Sequence, residues 1–152
     1  MAKLDWVRPY LAVGPRPMSK FDWEALQREK VTLIIDLNDS PLEKEDSRAF
    51  KISHKGLRVP EPPEQEELLR TFSTIHEWIE DERKSGGKVY LHCTAGQQRS
   101  PTCAMAHLIA GGETVEGAKK LVMSARLGVW GGPVNIKTLE RALHLWKSKL
   151  EA

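Results

Sequence analysis

A cysteine and an arginine separated by five residues, with a serine directly after the arginine, stand out as residues that could do chemistry together. Residues 92–101 read His-Cys-Thr-Ala-Gly-Gln-Gln-Arg-Ser-Pro. An apolar run precedes them at residues 89–91, and a helix-like run follows at residues 102–110. A cysteine at the end of a strand, followed by a glycine-containing loop and the start of a helix, describes an anion-binding loop with a nucleophile at its floor. The pattern predicts a site that hydrolyses phosphate esters.

The thiol of a free cysteine has a pKa of ~8.5, so a nucleophilic Cys93 needs groups that stabilise its thiolate. Backbone N–H groups at the helix N-terminus, the guanidinium of Arg99 and the hydroxyl of Ser100 are suited to this task. The predicted phosphate-binding loop comprises Cys93, Thr94, Ala95, Gly96, Gln97, Gln98 and Arg99. In-line attack by the thiolate gives a cysteinyl-phosphate that water hydrolyses, and this chemistry requires no metal.

The elements that must position this loop indicate an α/β fold with a small, mainly parallel central sheet flanked by helices. Strands are predicted at residues 10–13, 31–37, 57–59 and 88–92, and helices at 20–30, 64–84, 100–110, 114–126 and 135–150. The run at residues 31–37 is the strongest and predicts a central strand covered on both faces. Residues 42–55 are charged and weakly patterned, which predicts an irregular segment. The length predicts a single domain over residues 1–152.

Composition bears on which partners the protein binds and on the cellular compartment in which it works. The net charge is +2, from 23 Lys and Arg against 21 Asp and Glu, which gives no basic excess for nucleic-acid binding. Two cysteines are too few for a disulfide framework, which favours a reducing compartment and hence the cytoplasm. No apolar run reaches the length of a signal peptide core or of a membrane span. We expect a soluble protein that binds neither nucleic acid nor membrane.

The segment H-C-x-x-G-x-x-R-S resembles the signature loop of the protein tyrosine phosphatase superfamily, and the chain is most similar to its small dual-specificity and archaeal-type branch. The resemblance implies the phosphatase fold, no cofactor, a monomer and a phosphorylated protein substrate, with phosphate or other oxyanions held in the site. It implies that Cys93 is the nucleophile, that Arg99 binds phosphate and that Ser100 eases breakdown of the intermediate. His92 would help to depress the thiol pKa, although a lone histidine is equally compatible with a core position.

The general acid is the point at which the chain departs from that pattern. Relatives carry an aspartate on a loop roughly thirty residues before the cysteine, which protonates the leaving group. Here the segment at residues 59–63 reads Val-Pro-Glu-Pro-Pro, so that Pro63 occupies the expected position. Glu61 and Glu64 are the nearest carboxylates and are the predicted acids, with Asp36 and Asp39 as further candidates.

Alternative functions remain open. A phosphate-binding pseudophosphatase would explain the missing aspartate, and a glucan or carbohydrate phosphatase would use Trp130 as a sugar platform, although a packed tryptophan is the more usual case. Gln97 and Gln98 would position water or simply face solvent. Cys103, ten residues after Cys93, is predicted to be a core residue, with a resolving thiol as the alternative.

Overall fold

The computed structural model describes residues 4–59, 64–94, 98–131 and 136–152. The strands are β1 (Asp5–Arg8), β2 (Leu11–Gly14), β3 (Leu33–Asp36), β4 (Ser53–Gly56) and β5 (Val89–His92). The helices are α1 (Lys20–Arg28), α2 (Pro41–Ala49), α3 (Gln65–Lys84), α4 (Arg99–Ala110), α5 (Val115–Ala125) and α6 (Ile136–Glu151).

The five strands form one sheet in the order β1-β2-β5-β3-β4. β2, β5, β3 and β4 are parallel, and only the edge strand β1 runs antiparallel to its neighbour. β5 therefore lies at the centre of the sheet, with β2 and β3 on either side. The predicted mainly parallel α/β fold is confirmed.

Helices cover both faces of the sheet, which explains why its inner strands are apolar without alternation. Side chains that alternate along the strands pack on opposite faces: Val89 and Leu91 belong to the larger core, whereas Tyr90 belongs to the smaller one. The larger core joins the sheet to α3, α4, α5 and α6, and the smaller core lies beneath α1. Almost every residue of α4 is buried, as expected of a helix enclosed by α3, α5 and α6.

The segment at residues 42–55 is not irregular, and this prediction was wrong. Residues 41–49 form α2, in which the hydroxyl of Ser40 accepts a hydrogen bond from the Glu43 N–H and Pro41 occupies the first turn. The strand predicted at residues 57–59 lies earlier, at Ser53–Gly56. Its sequence, Ser-His-Lys-Gly, carries no apolar signal because β4 is an edge strand with two exposed residues.

Most tryptophans and the apolar stripe of the last helix face the interior. Trp23 and Trp146 are buried, Trp78 is half-buried and Leu139 lies in the core, but Ile136 at the start of α6 is exposed. Within the described ranges, no helix combines the length and apolarity needed to cross a bilayer.

Candidate active site

The carboxyl ends of the parallel strands converge at the site. Cys93 directly follows β5, and in the sheet register His92 is paired with Gly14 of β2 on one side and Asp36 of β3 on the other. This edge of a parallel sheet is where α/β folds bind ligands, because the loops that follow several strands meet there. The predicted nucleophile therefore lies at the central position of this edge.

The predicted nucleophile, Cys93, faces the first turn of α4. Sγ of Cys93 lies 3.4 Å from Oγ of Ser100, and both side chains are buried. α4 begins at Arg99, so the positive end of its dipole is directed towards the same region as the sulfur. The hydroxyl is positioned to donate to a thiolate, which supports the role predicted for Ser100.

The side chain of Arg99 is fixed across the site by a distant backbone group. Its Nη1 donates a hydrogen bond of 2.9 Å to the carbonyl oxygen of Val59, and the residue is largely buried. A guanidinium offers five N–H donors in one plane, so it can serve more than one acceptor at a time. Arg99 is thus held in one orientation before any ligand binds.

The beginning of the predicted phosphate-binding loop is attached to two neighbouring segments. Arg16 N donates to the carbonyl oxygen of Thr94 at 3.1 Å, and Nδ2 of Asn38 donates to the Thr94 hydroxyl at 3.3 Å. Gln98 is half-buried at the N-cap of α4. The other loop residues, Ala95, Gly96 and Gln97, lie outside the described residues.

The candidate general acids have different surroundings. Glu64 is exposed at the N-cap of α3, and its side chain makes no capping bond, so the carboxyl group is accessible to solvent. Asp39 is also exposed. Glu61 and Pro63 lie outside the described residues.

Asp36 is poorly suited to the role of acid because it is fully buried and ionised. Burial on its own raises the pKa of Asp36, but hydrogen bonds from His54 and from the backbone N–H groups of Ser40 and Asn38, with the charge of His92, lower it to about 2. A carboxyl group with that pKa carries no proton to donate near neutral pH.

His92 is a fully buried member of a polar cluster. Its Nδ1 donates to the carbonyl oxygen of Cys93 at 2.7 Å, and its Nε2 lies 2.5 Å from Oε2 of Glu43. Burial alone lowers the pKa of His92, but the hydrogen bond and charge of Glu43 outweigh this effect and the pKa is raised. His92 is therefore a satisfied core residue, and its predicted role in lowering the pKa of the Cys93 thiol stays a prediction.

Glu43 and His54 are polar residues of this cluster that the sequence did not single out. Nε2 of His54 lies 3.2 Å from Oδ2 of Asp36 and 3.7 Å from Oε2 of Glu43. A signal for Glu43 was present, because Ser40-Pro41-Leu42-Glu43 fits the S-x-x-E pattern of a helix start. No local signal indicates His54, because its partners lie on β3 and α2.

Among the residues that the structure describes, two clusters carry donor atoms of the kind that hold metal ions, Asp36–Glu43–His92 and His76–Glu80–His107. In the first, both ring nitrogens of His92 already face hydrogen-bond acceptors. In the second, Nδ1 of His76 lies 2.8 Å from Nδ1 of His107, and Nη1 of Arg83 lies 3.4 Å from Oε1 of Glu80. A cation there would compete with the arginine for the only carboxylate of the set.

Cys103 and Trp130 both occupy core positions. Burial raises the pKa of the Cys103 thiol, which disfavours the thiolate that a resolving cysteine needs. Trp130 is 6% exposed, and its Nε1 donates to the hydroxyl of Thr102 at 2.9 Å. Its ring presents no open face on which a sugar could stack.

Comparisons with known proteins agree with this geometry. The chain is 27% identical over 128 residues to the mouse (Mus musculus) dual specificity protein phosphatase 19, an alignment that covers 84% of this chain and 56% of that protein. The chain thus spans little more than half the length of this curated relative.

Solved structures share the fold over nearly the whole chain. The active form of Tk-PTP is 21% identical with a TM-score of 0.79, covering 96% of this chain and 97% of that one. Human DUSP28 is 22% identical with a TM-score of 0.77, covering 98% and 95%. PTPMT1 is 17% identical with a TM-score of 0.77, covering 98% and 99%.

The family model for the catalytic domain of dual specificity phosphatases matches residues 14–129, a range that runs from the end of β2 through the cysteine, the arginine and α4 to the residue before Trp130. This match spans more than half of the chain. The chain therefore belongs to the dual specificity phosphatase family.

Proposed function

We propose that the protein is a metal-independent phosphatase that hydrolyses phosphotyrosine, and more slowly phosphoserine or phosphothreonine, through a cysteinyl-phosphate. The observation that carries the proposal is the position of Cys93 Sγ, 3.4 Å from the Ser100 hydroxyl at the N-terminus of α4, beside an arginine anchored to Val59. A thiol and a hydroxyl donor thus meet at the end of a central strand, where the helix that begins with Arg99 starts.

In the proposed reaction, the phosphoryl group binds to Arg99 and the N-terminus of α4 with its phosphorus above the Cys93 thiolate. The sulfur attacks, the S–P bond forms and the P–O bond to the leaving group breaks. A carboxylic acid donates a proton to the departing oxygen. Water then attacks the phosphorus and gives a proton to the carboxylate left by the first step. The S–P bond breaks, and Ser100 donates a hydrogen bond to the sulfur as it regains its negative charge.

The depth of the nucleophile supports an aryl phosphate as the preferred substrate. Cys93 is only 3% exposed. The phosphate of phosphotyrosine stands at the end of a long, rigid ring, so it reaches a recessed sulfur more readily than the phosphate of phosphoserine does. A phenoxide is also a better leaving group than an alkoxide, which reduces the demand on the general acid.

Glu64 and Glu61 are the proposed acids. Glu64 is exposed at the start of α3, five residues after Val59, whose carbonyl oxygen binds Arg99. Val59 and Glu64 are the ends of the sequence segment in which the acid is expected, and Val59 is bonded to Arg99. Glu61 belongs to that segment.

A second candidate function is that of a phosphate-binding pseudophosphatase. It is favoured by one observation, namely that Pro63 stands where the resemblance predicts the aspartate. A protein of this type would bind oxyanions without turning substrates over. Oxyanion binding has a precedent in the mouse putative dual specificity phosphatase, which was solved in complex with zinc tungstate. A phosphoinositide is a further substrate class to test, because PTPMT1 has been solved in complex with PI(5)P.

The test is hydrolysis of a series of aryl phosphates with leaving groups of increasing pKa, in the presence of a metal chelator. We expect turnover of all of them, with a bell-shaped pH dependence that loses its basic limb in either Glu64→Gln or Glu61→Gln. Phosphotyrosine peptide, phosphoserine peptide and PI(5)P vesicles are then compared by kcat/KM.

Three outcomes would overturn the proposal. One is a requirement for divalent metal, and another is activity that survives in Cys93→Ser. The third is tight vanadate binding with no turnover even of the most reactive aryl phosphate, which would establish the pseudophosphatase.

A further inference from the structure

Both ring nitrogens of His92 face groups that only accept hydrogen bonds. Nδ1 lies 2.7 Å from the carbonyl oxygen of Cys93, and Nε2 lies 2.5 Å from a carboxylate oxygen of Glu43. A neutral imidazole has one N–H and one lone pair, so it satisfies only one of these contacts as a donor. With Glu43 ionised, both contacts are satisfied only when each nitrogen carries a proton, which makes the ring an imidazolium paired with a carboxylate.

The charged groups around the His92 ring come from several elements. Glu43 approaches from α2, and Asp36 approaches from β3, with its Oδ1 3.8 Å from Nε2. His54 of β4 lies behind them and contacts both carboxylates. Within β5 itself the aromatic ring of Tyr90 is the neighbour, with its centroid 5.9 Å away, while the β2 residue paired with His92 is Gly14.

The carboxylate of Glu43 contacts the His92 ring rather than the N-terminus of its own helix. In α1 the third helical residue, Asp22, completes a capping box by accepting a hydrogen bond from the Ser19 N–H. Glu43 occupies the same position in α2, yet its carboxylate contacts His92, 49 residues away. Its other oxygen, Oε1, has no hydrogen-bond partner among the described residues. A buried carboxylate with that arrangement costs stability unless its charge is paired.

We propose that Glu43 is a positioning residue for the nucleophile, because it keeps His92 doubly protonated and so fixes a positive charge and a hydrogen bond directly behind Cys93. The inference rests on the proposed function and extends it to a residue that does not touch the substrate. The imidazolium stabilises the Cys93 thiolate through space, and its Nδ1–H bond fixes the peptide from which the sulfur projects. The raised pKa of His92 agrees with this arrangement.

The test compares Glu43→Gln, which keeps shape and removes the charge, with the wild type. The measurement is the rate of Cys93 alkylation by iodoacetamide against pH, read by peptide mass spectrometry. We expect the midpoint of thiol ionisation to rise by about one pH unit, so that alkylation below the midpoint slows about tenfold. Glu45→Gln is the matched control, since Glu45 is exposed on the same helix and its removal should leave the profile unchanged.

NMR of the wild type provides a measurement that needs no variant. The ring nitrogens of His92 should show the chemical shifts of an imidazolium at neutral pH, and those of a neutral ring in Glu43→Gln. A neutral His92 in the wild type would overturn the inference, and so would an unchanged alkylation profile in folded Glu43→Gln.

Alkylation needs no substrate, which separates this inference from the proposed function. A shifted thiol profile in a protein that hydrolyses no phosphate ester would contradict the function and support the role of Glu43. Normal hydrolysis, with the same acidic limb of the kcat/KM profile in wild type and Glu43→Gln, would support the function and contradict the role of Glu43.

Discussion

Nη1 of Arg99 donates a hydrogen bond of 2.9 Å to the carbonyl oxygen of Val59, 40 residues earlier in the chain. Val59 directly precedes the proline-rich segment in which the general acid is expected. The bond therefore joins the residue proposed to bind phosphate to the residue that directly precedes the segment proposed to protonate the leaving group.

Arg99→Lys tests the importance of this arrangement. An ammonium group cannot hold the Val59 carbonyl and also present a planar pair of donors to a phosphoryl group. We expect kcat/KM for an aryl phosphate to fall by roughly 10²–10³. Arg70→Lys, at an exposed position on α3, serves as the control and should retain activity. A wild-type value of kcat/KM in Arg99→Lys would show that the planar pair of guanidinium donors is not used.

Ser100→Ala tests the second half of the reaction. The hydroxyl lies 3.4 Å from Cys93 Sγ, so its removal should slow departure of the thiolate from phosphorus while leaving the first step largely intact. A hydrogen bond to a charged group is worth roughly 1.5–3 kcal/mol, which corresponds to a decrease of about tenfold to a hundredfold in the breakdown rate. Stopped-flow kinetics should show a burst of product followed by slow turnover. A steady rate without a burst, at wild-type speed, would contradict this role.

Asp36→Asn should lower stability at neutral pH and have little effect in strong acid. The pKa of Asp36 is about 2 in the folded protein against an ordinary value of 3.8, so ionisation stabilises the fold above about pH 4, and this contribution is lost as the pH falls towards about 2. This contribution to the free energy of unfolding amounts to about 2 kcal/mol at neutral pH. Urea denaturation at several pH values measures it, with the exposed Asp46→Asn as control. A difference between wild type and Asp36→Asn that stays constant with pH would contradict the assignment.

His107→Gln should flatten the loss of stability in mild acid. His107 is buried against Tyr10 and His76. Burial is the main cause, and the charge of His76 the second, that lowers the pKa of His107 to about 3 from an ordinary 6.5. Below about pH 6.5 the unfolded chain gains a proton that the folded chain does not, so stability falls with decreasing pH until about pH 3.

The histidine contributes about 1.4 kcal/mol per pH unit to that fall. Denaturation curves of wild type and His107→Gln between these limits measure the contribution. The exposed His144→Gln should keep the wild-type slope. An unchanged slope in His107→Gln would refute the burial of a neutral ring.

The sequence predicted the elements whose patterns are locally complete. α3 carries a full helical period, and α1 begins with the capping box of Ser19 and Asp22. The Cys93 loop lies between an apolar strand and a helix, so its placement at the sheet edge followed from general rules of α/β folds. β1 is not among the predicted strands, because a four-residue edge strand has little pattern to detect.

The parts that could not be predicted depend on contacts between distant residues. Glu43 and His92 are 49 residues apart, and no spacing rule joins a helix start to a strand end. The position of β4 depends on pairing with β3 rather than on its own sequence, Ser-His-Lys-Gly. The exclusion of Asp36 as an acid required its three hydrogen bonds, which are tertiary or loop contacts.

The most direct test of the central claim is detection of the covalent intermediate. Ser100→Ala is mixed with an aryl phosphate, quenched in acid within the burst and analysed by tandem mass spectrometry. We predict one added phosphoryl group on the peptide that contains Cys93, located on the sulfur and absent when Cys93→Ser is added to the same variant. A product burst without that adduct, or with the phosphoryl group on another residue, would contradict the cysteinyl-phosphate mechanism.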